Sequence, residues 1–97
     1  MKTEFSDSAK AELRSAREHY DAERAGLGRE FLLEMREIVS RIRTTPLQFP
    51  AIGRTEARRA LGSRFPYQIV FFVLADRVRI IAVAHQHRKP RYWRGRS

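Results

Sequence analysis

A chain of 97 residues has room for one small hydrophobic core, so it reads as a single domain over 1–97. At 42% hydrophobic, with six Phe, three Tyr and one Trp, it is too apolar to be a disordered chain, and the lack of cysteine excludes disulfides and thiolate metal sites. The net charge of +9 sits in the second half: residues 1–53 carry nine Lys/Arg against nine Asp/Glu, and residues 54–97 carry eleven against two. A cationic surplus so placed calls for an anionic partner, either a nucleic acid or an acidic protein segment. The N terminus opens on a polar run, and no apolar stretch approaches the roughly 20 residues that span a bilayer. A cytoplasmic protein with no membrane partner is expected.

Residues 2–5 read as a short opening strand. Ser6, Asp7 and Ser8 offer side-chain oxygens to cap a helix start. Ala9, Leu13, Ala16 and Tyr20 then share one helical face, with Lys10, Arg14, Arg17, Glu18 and Asp21 off it. That helix stops near Gly26, where glycine can take the left-handed conformation. Phe31, Leu32, Met35, Ile38, Val39 and Ile42 form the apolar stripe of a second helix, ended by Thr44-Thr45-Pro46. The tight turn at Gly26–Gly28 makes the two an antiparallel hairpin. Pro46–Gly53 reads as a loop that packs Phe49, Pro50 and Ile52 back onto the domain. Ala57–Leu61 and Tyr67–Leu74 read as strands, Asp76-Arg77 as a tight turn, and Val78–Ala84 as the returning strand. The apolar run Ile69–Leu74 marks a central strand covered on both faces, or on one of them by a partner. The order is β-α-α-β-β-β, an α+β fold with a helical hairpin packed on one side of a small, mostly antiparallel sheet.

The residues with chemistry to offer cluster around and after that sheet. Arg58, Arg59 and Arg64 precede the central strand, and His85, His87, Arg88, Arg91, Tyr92 and Trp93 follow the last one. Cleaving RNA through its 2′-hydroxyl needs a proton acceptor, a proton donor and cations for the phosphate. His85 or His87 suits the first role, since imidazole titrates near neutral pH, Tyr92 suits stacking or proton donation, and Arg64, Arg88 and Arg91 suit phosphate. Structural readings stand beside these. His85 at a strand end can simply hydrogen-bond locally, and Tyr92 and Trp93 can cover the core at the sheet's end. His85 and His87 have a spacing that can hold a metal on a strand, but no third ligand accompanies them, so neither a metal nor a cofactor is expected.

Three segments carry a resemblance: Gly26-Leu-Gly-x-x-Phe-Leu32, the line from Arg58-Arg-Ala-Leu61 to Pro66-Tyr-x-Ile-x-Phe71, and Val83-Ala-His-x-His-Arg-x-Pro-x-Tyr-Trp93. Together they make the chain resemble the RelE/ParE superfamily of type II toxin–antitoxin toxins along about its whole length, closer to the ParE-like branch. The resemblance implies the β-α-α-β-β-β fold and a toxin that traps DNA gyrase on cleaved DNA. Arg58, Arg59, Arg64, Arg88, Arg91, Tyr92 and Trp93 are then the target-binding set. The superfamily also contains ribosome-dependent mRNA endonucleases, for which Arg64, His85, His87 and Tyr92 are the catalytic candidates. Arg58 and Arg59 would stand for the basic set of those enzymes, and Tyr92, or Trp93 one residue on, for their C-terminal tyrosine. A third alternative is a non-toxic module that only pairs with an antitoxin. The resemblance further implies a cognate antitoxin whose C-terminal arm wraps the toxin, giving a hetero-oligomer. A basic sheet face and an apolar hairpin suit an acidic amphipathic segment that folds on binding.

Overall fold

The computed structural model describes residues 1–97. Strand β1 (Lys2–Phe5) leads into helices α1 (Asp7–Glu23) and α2 (Leu27–Thr44), and a single 3-10 turn (Pro46–Gln48) follows. Strands β2 (Arg58–Leu61), β3 (Tyr67–Val73) and β4 (Arg77–His85) complete the chain's regular structure. The sheet order is β1-β4-β3-β2, with β1 parallel to β4 and the other two pairings antiparallel. This is the expected α+β arrangement, and its one parallel pairing brings the two ends of the chain side by side.

Each helix end has a local cause. Ser6 caps α1, its hydroxyl accepting from the Ala9 N–H at 3.1 Å. Gly26 takes the left-handed conformation (φ 87°) at the N-cap of α2, so the chain reverses there without strain. Asp21 of α1 supplies the cap that glycine lacks, accepting from the Gly28 N–H at 2.8 Å. A Cβ on Gly28 would lie 2.6 Å from the Arg17 carbonyl and from the Asp21 carboxyl, so only glycine lets the helices meet this closely.

The α2 stripe behaves as its spacing predicts, with Phe31, Met35, Ile38 and Ile42 buried against Ile69, Phe71, Ile80 and Val83 of the sheet. Full burial of such side chains contributes about 1.5–3 kcal/mol each. Leu32 and Val39 flank the stripe and stay half-buried. The Ile69–Val73 run does belong to a strand enclosed on both sides. A second apolar cluster of Ala57, Val70, Ile81, Ala82 and Trp93 covers the face away from the helices. Its roof is built from the chain's own loop and tail: Ile52 and Tyr92 pack against it. A register shift in the β3–β4 ladder, where Val70 pairs Ala82 and Phe71 pairs Ile80, leaves Ile81 unpaired. That bulge turns the consecutive residues Ile81 and Ala82 into the same cluster.

Four strand boundaries differ by one residue from the hydrophobic pattern: β2 starts at Arg58 rather than Ala57, β3 ends at Val73 rather than Leu74, and β4 differs at both ends. Strand β4 starts at Arg77 rather than after it, because Arg77 pairs in register with Lys2 of β1, and the turn accordingly centres on Ala75 and Asp76. It also runs on to His85, which pairs with Tyr67.

Candidate functional site

The hairpin is tight at Gly28 and opens away from it. Between α1 and α2 lies a groove with Leu13, Leu32, Met35 and Val39 on its walls and Phe5, Ile69 and Val83 on its floor. Lys10, Arg14, Arg17, Arg36 and Arg43 rim it, and no acidic residue lines it. Only Arg17 has an ion-pair partner, a loose one in Asp21 at 3.9 Å. An apolar trough edged by free cations complements an acidic amphipathic segment.

The opposite face of the sheet carries the tail. Trp93 is turned inward, 7% exposed, among Ala57, Val70, Ile81 and Ala82. Tyr92 donates its hydroxyl to Glu12 Oε2 at 2.6 Å, and Arg96 donates to both Glu12 oxygens at 2.9 and 3.2 Å. Beyond Phe5 the chain leaves the sheet for α1, so the outer edge of β4 has no strand beside it from Ile81 onward. Side chains fill the gap: the Val83 N–H donates to Glu12 Oε1 at 3.0 Å, and Arg96 donates to the Ile81 carbonyl at 3.0 Å. Burial, and then the Glu12 carboxylate, push the Tyr92 phenol well above its ordinary pKa. Hydrogen bonding to Glu12 raises that of Arg96.

His85, His87 and Arg64 lie elsewhere. His85 faces the helical side, edge-on to Tyr67 with ring centres 5.6 Å apart, and its Nδ1 accepts from the His87 N–H at 3.1 Å. Tyr67 in turn packs on Tyr20 and Phe31. Arg64 is paired to Glu30 at 2.6 Å, and that hydrogen bond holds the Glu30 carboxyl below its ordinary value. Beside it Glu34 accepts from the N–H groups of Arg64 and Phe65, at 2.9 and 3.0 Å, and from the Ser63 hydroxyl at 3.1 Å. Burial tends to raise the Glu34 pKa, but these donors outweigh it and the net shift is downward.

A family model described as the ParE toxin of type II toxin–antitoxin systems, parDE, matches residues 3–90, most of the chain. The chain belongs to the ParE toxin family. Its fold is shared with a chain of the chromosomal ParDE TA system from P. aeruginosa, at a TM-score of 0.77 and 17% identity, covering 88% of this chain and 95% of that one. No curated protein matches it.

Within this ParE-family chain the residues singled out by sequence divide into groups. Arg59, Arg88 and Arg91 are exposed and unpaired on the side of the sheet that carries the tail. Arg58 instead points to the other side, where it donates to the Phe49 carbonyl and pins the preceding loop. Trp93 covers the core and cannot reach a partner while the tail is seated. Of the ribonuclease candidates only His85 and His87 adjoin, with ring centres 5.3 Å apart on the helical side, while Tyr92 is bound to Glu12 and Arg64 is paired to Glu30. Sequence reading missed Glu12, Arg96 and the groove cations. The cations had a signal, since Lys10 and Arg17, and again Arg36 and Arg43, recur at seven-residue spacing beside the apolar stripes. Glu12 had none.

Proposed function

We propose that this chain is a growth-arresting toxin that inhibits DNA gyrase, and that an acidic amphipathic segment of its cognate antitoxin silences it in the cytoplasm. Membership of the ParE family supports the toxin reading. The Tyr92–Glu12 bond favours a gyrase inhibitor over an mRNA endonuclease. A phenol held by a carboxylate with its pKa raised is a poor proton donor, and it lies across the sheet from His85. Inhibition through a binding surface needs no assembled acid–base pair. The groove supports the antitoxin reading, because its rim of Lys10, Arg14, Arg17, Arg36 and Arg43 leaves an acidic helix its natural occupant.

The deciding experiment adds purified toxin to gyrase and supercoiled DNA, and separately to ribosomes carrying mRNA. The expected result is gyrase-dependent linear DNA that disappears when antitoxin is added, with mRNA intact. Codon-position cleavage of mRNA without any effect on gyrase establishes the endonuclease alternative. Activity in neither assay, with antitoxin still bound, leaves a binding module.

A further inference from the structure

The face that carries the tail is cationic in a particular way. Arg54, Arg59, Arg88, Lys89, Arg91 and Arg94 are all exposed there or on the loop and tail that roof it, and none forms an ion pair. Glu56 is the one acid in those segments. Two of the arginines have seated guanidinium groups, and a third, Arg59, has its face fixed by strand register. Arg59 lies in register with Val70, whose side chain packs under Trp93. Arg88 stacks 4.1 Å above the Tyr92 ring, which Glu12 anchors. Arg91 takes the left-handed conformation (φ 57°), uncommon for a residue with a Cβ, and its guanidinium occupies the space that a side chain at Gly53 would fill. A charged side chain held in a costly backbone state over a glycine is an organised contact, not a loose solvated tail.

What the face lacks narrows its ligand. Single-stranded nucleic acid is gripped by exposed aromatic rings, and here Trp93 is buried while the Tyr92 ring is covered by Arg88 and Arg96. A protein partner is gripped by apolar or aromatic anchors. Leu61 at the β2 edge is a solitary aliphatic. Fixed cations without anchors or stacking platforms match one surface, a duplex phosphate backbone. We infer that this face binds the sugar–phosphate backbone of duplex DNA, with Arg88 and Arg91 as seated contacts and Arg59 beside them on the strand. The inference rests on the gyrase reading only for its setting, in which such a face would hold the DNA that gyrase carries.

The test is fluorescence anisotropy of the full-length toxin with a mixed-sequence duplex of about 20 base pairs, over a salt series, the length being ample for several phosphate contacts. The same strand alone and an RNA strand of equal length are measured beside it. The expected result is tightest binding to the duplex, with log K falling against log salt at a slope of about −3 for three phosphates. Arg59→Ala and Arg91→Ala should each flatten that slope by about one, and Arg91→Lys should restore it. The charge-matched control Arg29→Ala, an exposed change on α2, should leave it unchanged. Circular dichroism and antitoxin binding establish that each variant is folded. Failure to bind duplex, tighter binding of either single strand, or equal flattening by the control overturns the inference. If Arg59→Ala and Arg91→Ala bind duplex as well as the parent does, the inference fails whatever gyrase does. If they lose duplex binding while the parent leaves gyrase unaffected, the DNA-binding face stands and the gyrase reading falls.

Discussion

Glu34 shows how much one carboxylate can organise. It is the common acceptor for the turn Ser63–Phe65, which joins β2 to β3, and it ties that turn to α2. Its pKa is lowered, so its contribution to stability is complete above the unfolded value near 4.5 and is lost as pH falls through the lower folded value. Glu34→Gln should therefore cost about 0.5–1.5 kcal/mol at neutral pH, since the donors it serves are exposed or only part-buried. Urea titrations should show the difference from the parent narrowing below pH 4.5. Tyr92 gives the opposite sign. Its raised pKa means that the neutral phenol stabilises fully below 10.0, and that this contribution fades as pH rises past the folded value. In an ultraviolet titration at high pH, Glu12→Gln should let a further tyrosine ionise earlier than in the parent. Unchanged tyrosine titration would show that Glu12 does not hold the phenol.

Among the elements, the α1–α2 hairpin and the edge of β4 explain why both halves of the chain need each other. The helices meet at Gly28, and the Gly28→Ala methyl would collide with the Arg17 carbonyl and the Asp21 carboxyl. That variant should lose about 1–3 kcal/mol, as overpacking at a rigid contact does, and calorimetry should show a lower Tm. At the sheet, β1 covers β4 only as far as Ile80, and Glu12 from α1 and Arg96 from the tail complete the edge. A strand whose edge is closed by side chains is protected from pairing with another chain. Arg96→Ala should therefore raise the aggregation rate on warming, read by light scattering, more than Arg94→Ala does, since Arg94 is exposed and unpaired.

For the molecule as a whole, folding redistributes the charge. Three acids of the first half are met by arginines of the second: Glu4 by Arg77 and Arg79, Glu12 by Arg96, and Glu30 by Arg64, which shares it with Arg24. The basic residues that shared the first half with them, Lys10, Arg14, Arg36 and Arg43, are left to rim the groove. The protein thus has a second cationic surface where the linear charge count shows neutrality. Charge reversal by Arg14→Glu with Arg36→Glu should weaken antitoxin binding by 10-fold or more, and steepest at low salt, in calorimetric titration. The tail, for its part, is structural. Truncation after Ala84 strips Trp93 from Val70, Ile81 and Ala82 and removes Arg96 from the β4 edge. The truncated chain should fail to fold, and Trp93→Ala alone should cost about 3–5 kcal/mol, a large part of the stability of so small a domain. Loss of toxicity on truncation would then say nothing about contacts, which is why single exposed arginines are the informative changes.

The order of elements and the core stripe of α2 were legible in the sequence because they rest on local periodicity. Phe31, Met35, Ile38 and Ile42 repeat at helical spacing, and an unbroken apolar run such as Ile69–Val73 has nowhere to sit but the middle of a sheet. The left-handed Gly26 and the capping Ser6 were legible for the same reason, each being a property of a residue and its immediate neighbours. Membership of the ParE family was legible from three short segments of side chains. Which of the basic residues stay free to form the two cationic surfaces was not. Whether an arginine is free or spent depends on which acid the fold brings to it, and Glu12 meets Tyr92 and Arg96 across 80 and 84 residues of chain. The same holds for Trp93, whose place in the sequence among cations reads as a contact and whose place in space is the roof of a core. Pairing over such separations is decided by the sheet order β1-β4-β3-β2, which lays the two ends of the chain together.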